Sequence, residues 1–77
     1  MIRVVFDDVV RRYIMAHPSH PYVIELFDAI ANARFEFSKE TLDDVNIAVG
    51  KLSILTGGEI ECIIEPGEQP YGIVGNA

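Results

Sequence analysis

The chain opens with Ile2-Arg3-Val4-Val5-Phe6, a β-branched and aromatic run that predicts a short strand. Asp7 or Asp8 can then cap a helix. Beyond them Val9, Val10, Tyr13 and Ile14 fall at helical spacing, and Pro18 stops the run. An early Asp and a late His17 suit the two ends of the helix dipole. Ser19 is the expected cap of a second helix, with Pro21 tolerated in its first turn. Along that helix Ile24, Phe27, Ile30 and Ala31 are expected to share one face, widened by Val23 and Leu26. This width predicts the most buried helix of the chain, with Asn32 as its terminator.

Arg34-Phe35-Glu36-Phe37 alternates, which fits a short strand or an extended connector. Ser38 and Thr41 are both candidate caps. Leu42, Val45, Val49 and Leu52 then form an amphipathic stripe that Gly57-Gly58 terminates. Gly50 leaves open whether residues 38–55 form one helix or two. Glu59-Ile60-Glu61-Cys62-Ile63-Ile64-Glu65 is the clearest strand, with Ile60, Cys62 and Ile64 on one face and the glutamates on the other. Pro66-Gly67 makes a turn, Tyr71-Gly72-Ile73-Val74 can pair back as a last strand, and residues 75–77 are expected to fray. With no repeat and no linker, residues 1–77 read as one α+β domain: two or three helices packed on a small, mainly antiparallel sheet.

Size limits what such a domain can do. A chain of 77 residues supports a core of only a few kcal/mol and has little room for a deep substrate pocket. Binding by surface is the natural expectation, and a homo-oligomer would add stability. Cys62 is the single cysteine, so no internal disulfide forms, which suits a reducing compartment. No apolar run has the length of a signal peptide or approaches the ~20 residues of a membrane span. A cytoplasmic protein without membrane contacts is expected.

Charge changes the picture most. The net charge is −6, and all of it lies after residue 34. Residues 1–34 balance Arg3, Arg11, Arg12 and Arg34 against Asp7, Asp8, Glu25 and Asp28. Residues 35–77 set eight acids against Lys39 and Lys51 alone. Phosphate contacts need Lys and Arg, so direct nucleic-acid binding is not expected. On the second strand Glu59 and Glu61 stand ~6.6–6.8 Å apart, two residues of strand rise. Glu65 and Glu68 extend the row, and Asp43 and Asp44, with Glu36 and Glu40, would enlarge the patch. Carboxylates spaced along a rigid element can imitate a nucleic-acid backbone and occupy a basic groove on another protein. The plainer reading is an exposed sheet face kept soluble and guarded against edge pairing by charge. Tyr71 is a candidate aromatic anchor at an interface.

Catalytic and metal chemistry find little purchase. His17, His20 and Cys62 hint at a metal site, but the spacing matches no zinc pattern, and Pro18 and Pro21 prevent a regular helix through both histidines. Asp7-Asp8 and Asp43-Asp44 are adjacent pairs that suit helix starts rather than a calcium loop. No phosphate loop, nucleophile elbow or His-Glu-x-x-His motif is present. Cys62 lies on the apolar strand face, where a thiol is usually inert. No enzyme activity, cofactor or metal is expected.

Three partial resemblances widen the field. His20-Pro21 leading into a helix, with Gly58-Glu59-Ile60-Glu61 after a later one, resembles the histidine phosphocarrier proteins of sugar transport. It implies a phosphorylatable His20, although the family's Arg between His and Pro is absent. The segments 1–6 and 57–66 resemble the first and last strands of β-grasp sulfur carriers. That family ends in Gly-Gly, whereas this chain ends Gly75-Asn76-Ala77, so the likeness implies fold without the chemistry. The helix from Pro21, then Phe37-Ser38-x-x-Thr41-Leu42, a further helix, a Gly turn and a two-stranded segment closing on Tyr71 resemble a winged helix. Such domains read DNA with the helix before the wing. Here that helix carries only Lys51 and the wing would carry Glu59, Glu61, Glu65 and Glu68, so Arg11, Arg12, Arg34 and Lys51 would have to converge. The leading expectation is a small acidic, non-catalytic module that regulates or inhibits a basic partner protein, nucleic-acid-handling proteins among them. The alternatives are a winged-helix DNA-binding regulator and a small carrier protein.

Overall fold

A computed structural model describes residues 2–64 of the chain. Strand β1 (Ile2–Phe6) leads into helices α1 (Asp8–Ala16), α2 (Pro21–Phe35) and α3 (Lys39–Thr56), and strand β2 (Ile60–Ile64) follows. The strands pair antiparallel, Ile2 with Ile64, Val4 with Cys62 and Phe6 with Ile60. Three helices on a two-stranded antiparallel sheet make a small α+β domain. The expected turn at Pro66-Gly67, the strand at 71–74 and the end at 75–77 lie outside the described residues.

Each helix begins at a side-chain cap. Asp7 caps α1, its Oδ1 accepting from the Val10 N–H at 2.9 Å. The cap of α2 is His20, where Ser19 was expected: His20 Nδ1 accepts from the Tyr22 N–H at 3.0 Å. Pro21 has no N–H, so the first donor needing a partner is that of Tyr22, and the side chain next to the proline reaches it. Ser38 and Thr41 cap α3 together. Thr41 N–H donates to Ser38 Oγ at 3.2 Å, and Ser38 N–H donates to Thr41 Oγ1 at 2.8 Å.

One boundary differs from the sequence expectation, and one open alternative is decided. Asn32 does not end α2; its carbonyl accepts from the Glu36 N–H at 2.8 Å and the helix continues to Phe35. Arg34 and Phe35 are therefore helical, and residues 36–38 are the connector. Residues 39–56 form one helix through Gly50, whose missing side chain would meet nothing within 4 Å. Gly57 closes it at φ 77°, a left-handed C-cap bonded from its N–H to the Ser53 carbonyl.

The core joins all these elements. Ile2, Val10, Val23, Leu26, Val45 and Leu52 are the largest fully buried side chains, with Ala29, Ile30, Ala33 and Ala48 between helices. Val4, Phe6, Ile60 and Cys62 bring the inner face of the sheet against this cluster. No polar side chain among the described residues is buried. Ala29 and Ala33 on α2 and Ala48 on α3 are buried small side chains, which fit where helices pack ridges into grooves.

The two ends of the described chain are clasped at one point. Asp7 Oδ2 accepts from the Glu59 N–H at 2.8 Å, while the Asp7 N–H donates to the Glu59 carbonyl at 3.1 Å. Gly58 lies beneath this bond pair; a Cβ there would come within 2.7 Å of both Asp7 Oδ1 and Val10 Cγ2. Arg11 donates to the Phe6 carbonyl at 3.1 Å, and Ser53 Oγ to the Gly58 carbonyl at 2.7 Å. A single helix cap thus also fixes where β2 begins.

Candidate protein-binding surface

The buried face of α2 is Val23, Leu26, Ile30 and Ala33, flanked by Ala29. Ile24, Phe27 and Ala31, expected on that face, are exposed instead, Ile24 by 48% and Phe27 by 45%. Only Ile30 of the four expected to share that face is in the core. The helix is apolar on two sides, so periodicity alone does not decide which side turns inward. Phe35 extends the outer stripe and is 91% exposed. On α3, Val45 and Leu52 of the expected stripe are buried, with Leu42 and Val49 packed beside them. Ile47 and Ile54 point outward, 56% and 86% exposed.

Between the outer sides of α2 and α3 runs an open groove of about 700 Å³. Pro21, Ile24, Ala29 and Ile47 give it an apolar floor, and Glu25, Asp28 and Asp44 give it an acidic rim. Ser19 and Asn32 lie along its length. Lys51 binds both Glu25 oxygens, at 3.1 and 3.2 Å, and lies 5.6 Å from the Tyr22 ring centre. Among the described residues no Lys or Arg pairs with Asp28 or Asp44. Asp43, one residue before, is turned away and pairs with Lys39 at 3.1 Å.

Glu59 and Glu61 lie elsewhere. They flank Ile60 at the start of β2, exposed, beside a smaller hollow of about 480 Å³ that Val5, Phe6, Asp7 and Ser53 also line. Glu61 stands opposite Val5 on the outer side of the sheet. Asp43 and Asp44 were expected to adjoin these glutamates. The structure separates Asp44 from Glu59 by the stretch of α3 that runs from Asp44 to Thr56, roughly 18 Å of helix at ~1.5 Å per residue. Asp44 thus lies on the helical groove and Glu59 and Glu61 on the sheet, two separate surfaces. Glu65, Glu68 and Tyr71 lie outside the described residues.

Two groups carry shifted acidities. The Val10 N–H, then the Glu59 N–H, hold the Asp7 carboxyl below its usual range by bonding its charged form. Burial pushes the Cys62 thiol above its usual value, so it stays protonated and a poor nucleophile at neutral pH. Cys62 is half-buried opposite Val4, on the inner strand face expected for it. His17 and His20 both pack on Tyr13, with ring centres 4.5 and 5.8 Å away. Among the described residues no three His, Cys, Asp or Glu side chains group as metal ligands. His20 Nδ1, the acceptor of the helix cap, leaves Nε2 to carry the proton of the neutral ring.

Three of the cations are engaged within the domain. Arg11 pairs with Asp8 at 3.1 Å, Arg34 donates to the Ile2 carbonyl at 3.4 Å, and Lys51 serves Glu25. These contacts occupy them on three different elements. No helix among the described residues is long and apolar enough to cross a membrane. Ile24, Glu25, Asp28 and Ile47 were not singled out as surface residues by sequence. The signal available was the apolar character of α2 on both sides, together with Ile47 lying off the Leu42–Leu52 stripe. No family model, curated protein or solved structure matches the chain.

Proposed function

We propose that the chain is a small acidic, non-catalytic module that binds a basic partner protein and regulates or inhibits it. The observation that carries this reading is the pairing of exposed apolar residues with unneutralised acids on the α2–α3 surface. Ile24 and Ile47 are about half exposed, and Asp28 and Asp44 beside them have no described cation partner. Protein interfaces combine apolar contact area with charge complementarity in this way. Glu59 and Glu61 on the sheet supply a second acidic surface. Nucleic-acid-handling proteins, with their basic grooves, are natural members of the partner class.

The test is affinity capture from cell extract at ~50 mM and ~500 mM salt, which spans weak to strong screening. Wild type is compared with Glu59→Lys/Glu61→Lys and with Asp28→Lys/Asp44→Lys. A basic protein held at low salt, released at high salt and lost with either charge reversal is the expected result. Capture that is indifferent to salt and to both variants would sink the proposal.

A further inference from the structure

We propose that the groove between α2 and α3 receives an amphipathic helix with a basic flank, supplied by the partner protein. This rests on the preceding reading that the partner is a basic protein, and it names the mode of binding. The walls are two helices whose backbone groups are bonded within themselves, so the groove offers no strand edge for β-addition. Recognition there is by side chains. The stretch from Pro21 to Asn32 is roughly 16 Å long at ~1.5 Å per residue, room for about three turns of a guest helix.

Chemistry selects the guest. Ile24, Ala29 and Ile47 form a floor that matches apolar side chains at i, i+3, i+4 and i+7. Acids stand on both walls, Asp28 on α2 and Asp44 on α3, so a helix lying between them meets carboxylates on either side. Glu25 is already held by Lys51, which leaves Asp28 and Asp44 to attract the guest's Lys or Arg. A second copy of this chain is a poor occupant, because a net charge of −6 would approach the same acidic rim. The low difference in polarity between the two sides of α2 then has a cause: one apolar side closes the core and the other receives the guest.

Nuclear magnetic resonance of the full chain provides the test, with each backbone amide as a reporter. The probe is a synthetic helix of about 14 residues carrying Leu at helical spacing and Lys elsewhere. Its control is a peptide of the same composition, reordered to destroy the apolar stripe. Saturable shifts at Ile24, Asp28, Asp44 and Ile47 with the striped peptide alone are expected. Asp28→Lys/Asp44→Lys and, separately, Ile47→Ser should each raise Kd roughly tenfold or more, one through charge and the other through apolar contact. These side chains are exposed, and the dispersion of the variants' spectra checks that they fold.

Equal binding of both peptides would overturn the helix-in-groove mode. So would shifts confined to Glu59 and Glu61, although these would leave the basic-partner reading standing. Failure of every basic peptide to bind anywhere would overturn both. Concentration-dependent shifts at Ile24 and Ile47 without peptide would assign the groove to a second copy and overturn the proposal.

Discussion

The two sides of α2 use the same kinds of residue to opposite ends. Val23, Leu26, Ile30 and Ala33 are closed off by α3 and the sheet, while Ile24, Ala31 and Phe35 face outward and Phe27, half exposed, sets its ring against that of Phe6. Both sets recur at helical spacing. Burial is therefore not a property of the residue type but of what lies opposite. The inner side faces other apolar side chains with no polar group to satisfy. The outer side borders Glu25 and Asp28, whose charges cannot be buried without partners. An apolar stripe beside such acids is retained at the surface, where it can serve an interface.

The comparison can be broken most forcefully from inside. Leu26→Ala should cost ~2–5 kcal/mol by transfer and cavity terms, enough to unfold most of so small a domain. Thermal denaturation followed by circular dichroism measures it. Next comes the clasp. Gly58→Ala puts a Cβ 2.7 Å from Asp7 Oδ1 and Val10 Cγ2, and an overpacking cost of ~1–3 kcal/mol is expected in urea titration. A wild-type midpoint for this variant would mean that the clasp yields easily. Ser38→Ala removes half of the capping box of α3 and should cost ~1 kcal/mol, read from the same titration.

The clasp also depends on pH. The folded Asp7 carboxyl titrates below its unfolded value, so its contribution is fully present above the ordinary 3.8 and is lost as pH falls through the lowered folded value. Asp7→Asn should therefore differ from wild type in urea midpoint at neutral pH, with the gap narrowing below about pH 4. A gap that stays constant into acid would place the effect in shape rather than charge. The smallest change is expected on the outer side: Phe35→Ser, at a residue 91% exposed, should shift stability by no more than ~0.5 kcal/mol. If Phe35→Ser instead approached the cost of Leu26→Ala, the outer stripe would be covered and the contrast between the two sides would fail.

Much of the local structure is legible in the chain. Asp7, Ser38 with Thr41, and Gly57 mark helix ends because each solves a hydrogen-bonding or φ requirement within a few residues. Val45 and Leu52 are found in the core because they recur with Leu42 and Val49 along one side of α3, while Ile47 and Ile54 lie off that side. Asn32 misleads because a residue that can end a helix does so only when the next residues cannot continue it, and Ala33, Arg34 and Phe35 all can. Ser19 misleads because a cap must reach an N–H, and the proline at 21 moves the first available donor to Tyr22.

The site was less legible than the fold. The sequence suggests Asp44 as a neighbour of Glu59 and Glu61, and the unbroken run of α3 separates them. Sequence distance between residues 44 and 59 carries no sense of direction until the helix between them is known to be unbroken. Gly50 left that open; the absence of any atom near its Cβ position shows that packing neither required nor opposed a glycine there.

The three helices, the two paired strands, most caps, the strand alternation that turns Cys62 inward and the concentration of negative charge after residue 34 can all be read from the chain alone. These depend on contacts within a few residues or on simple counting. The packing of whole elements settles which apolar side of α2 is core, that Asp7 joins a helix cap to β2, and that Asp28 and Asp44 line one groove. Each of those pairs residues far apart in the chain, and only the packing of whole elements fixes the distance between them.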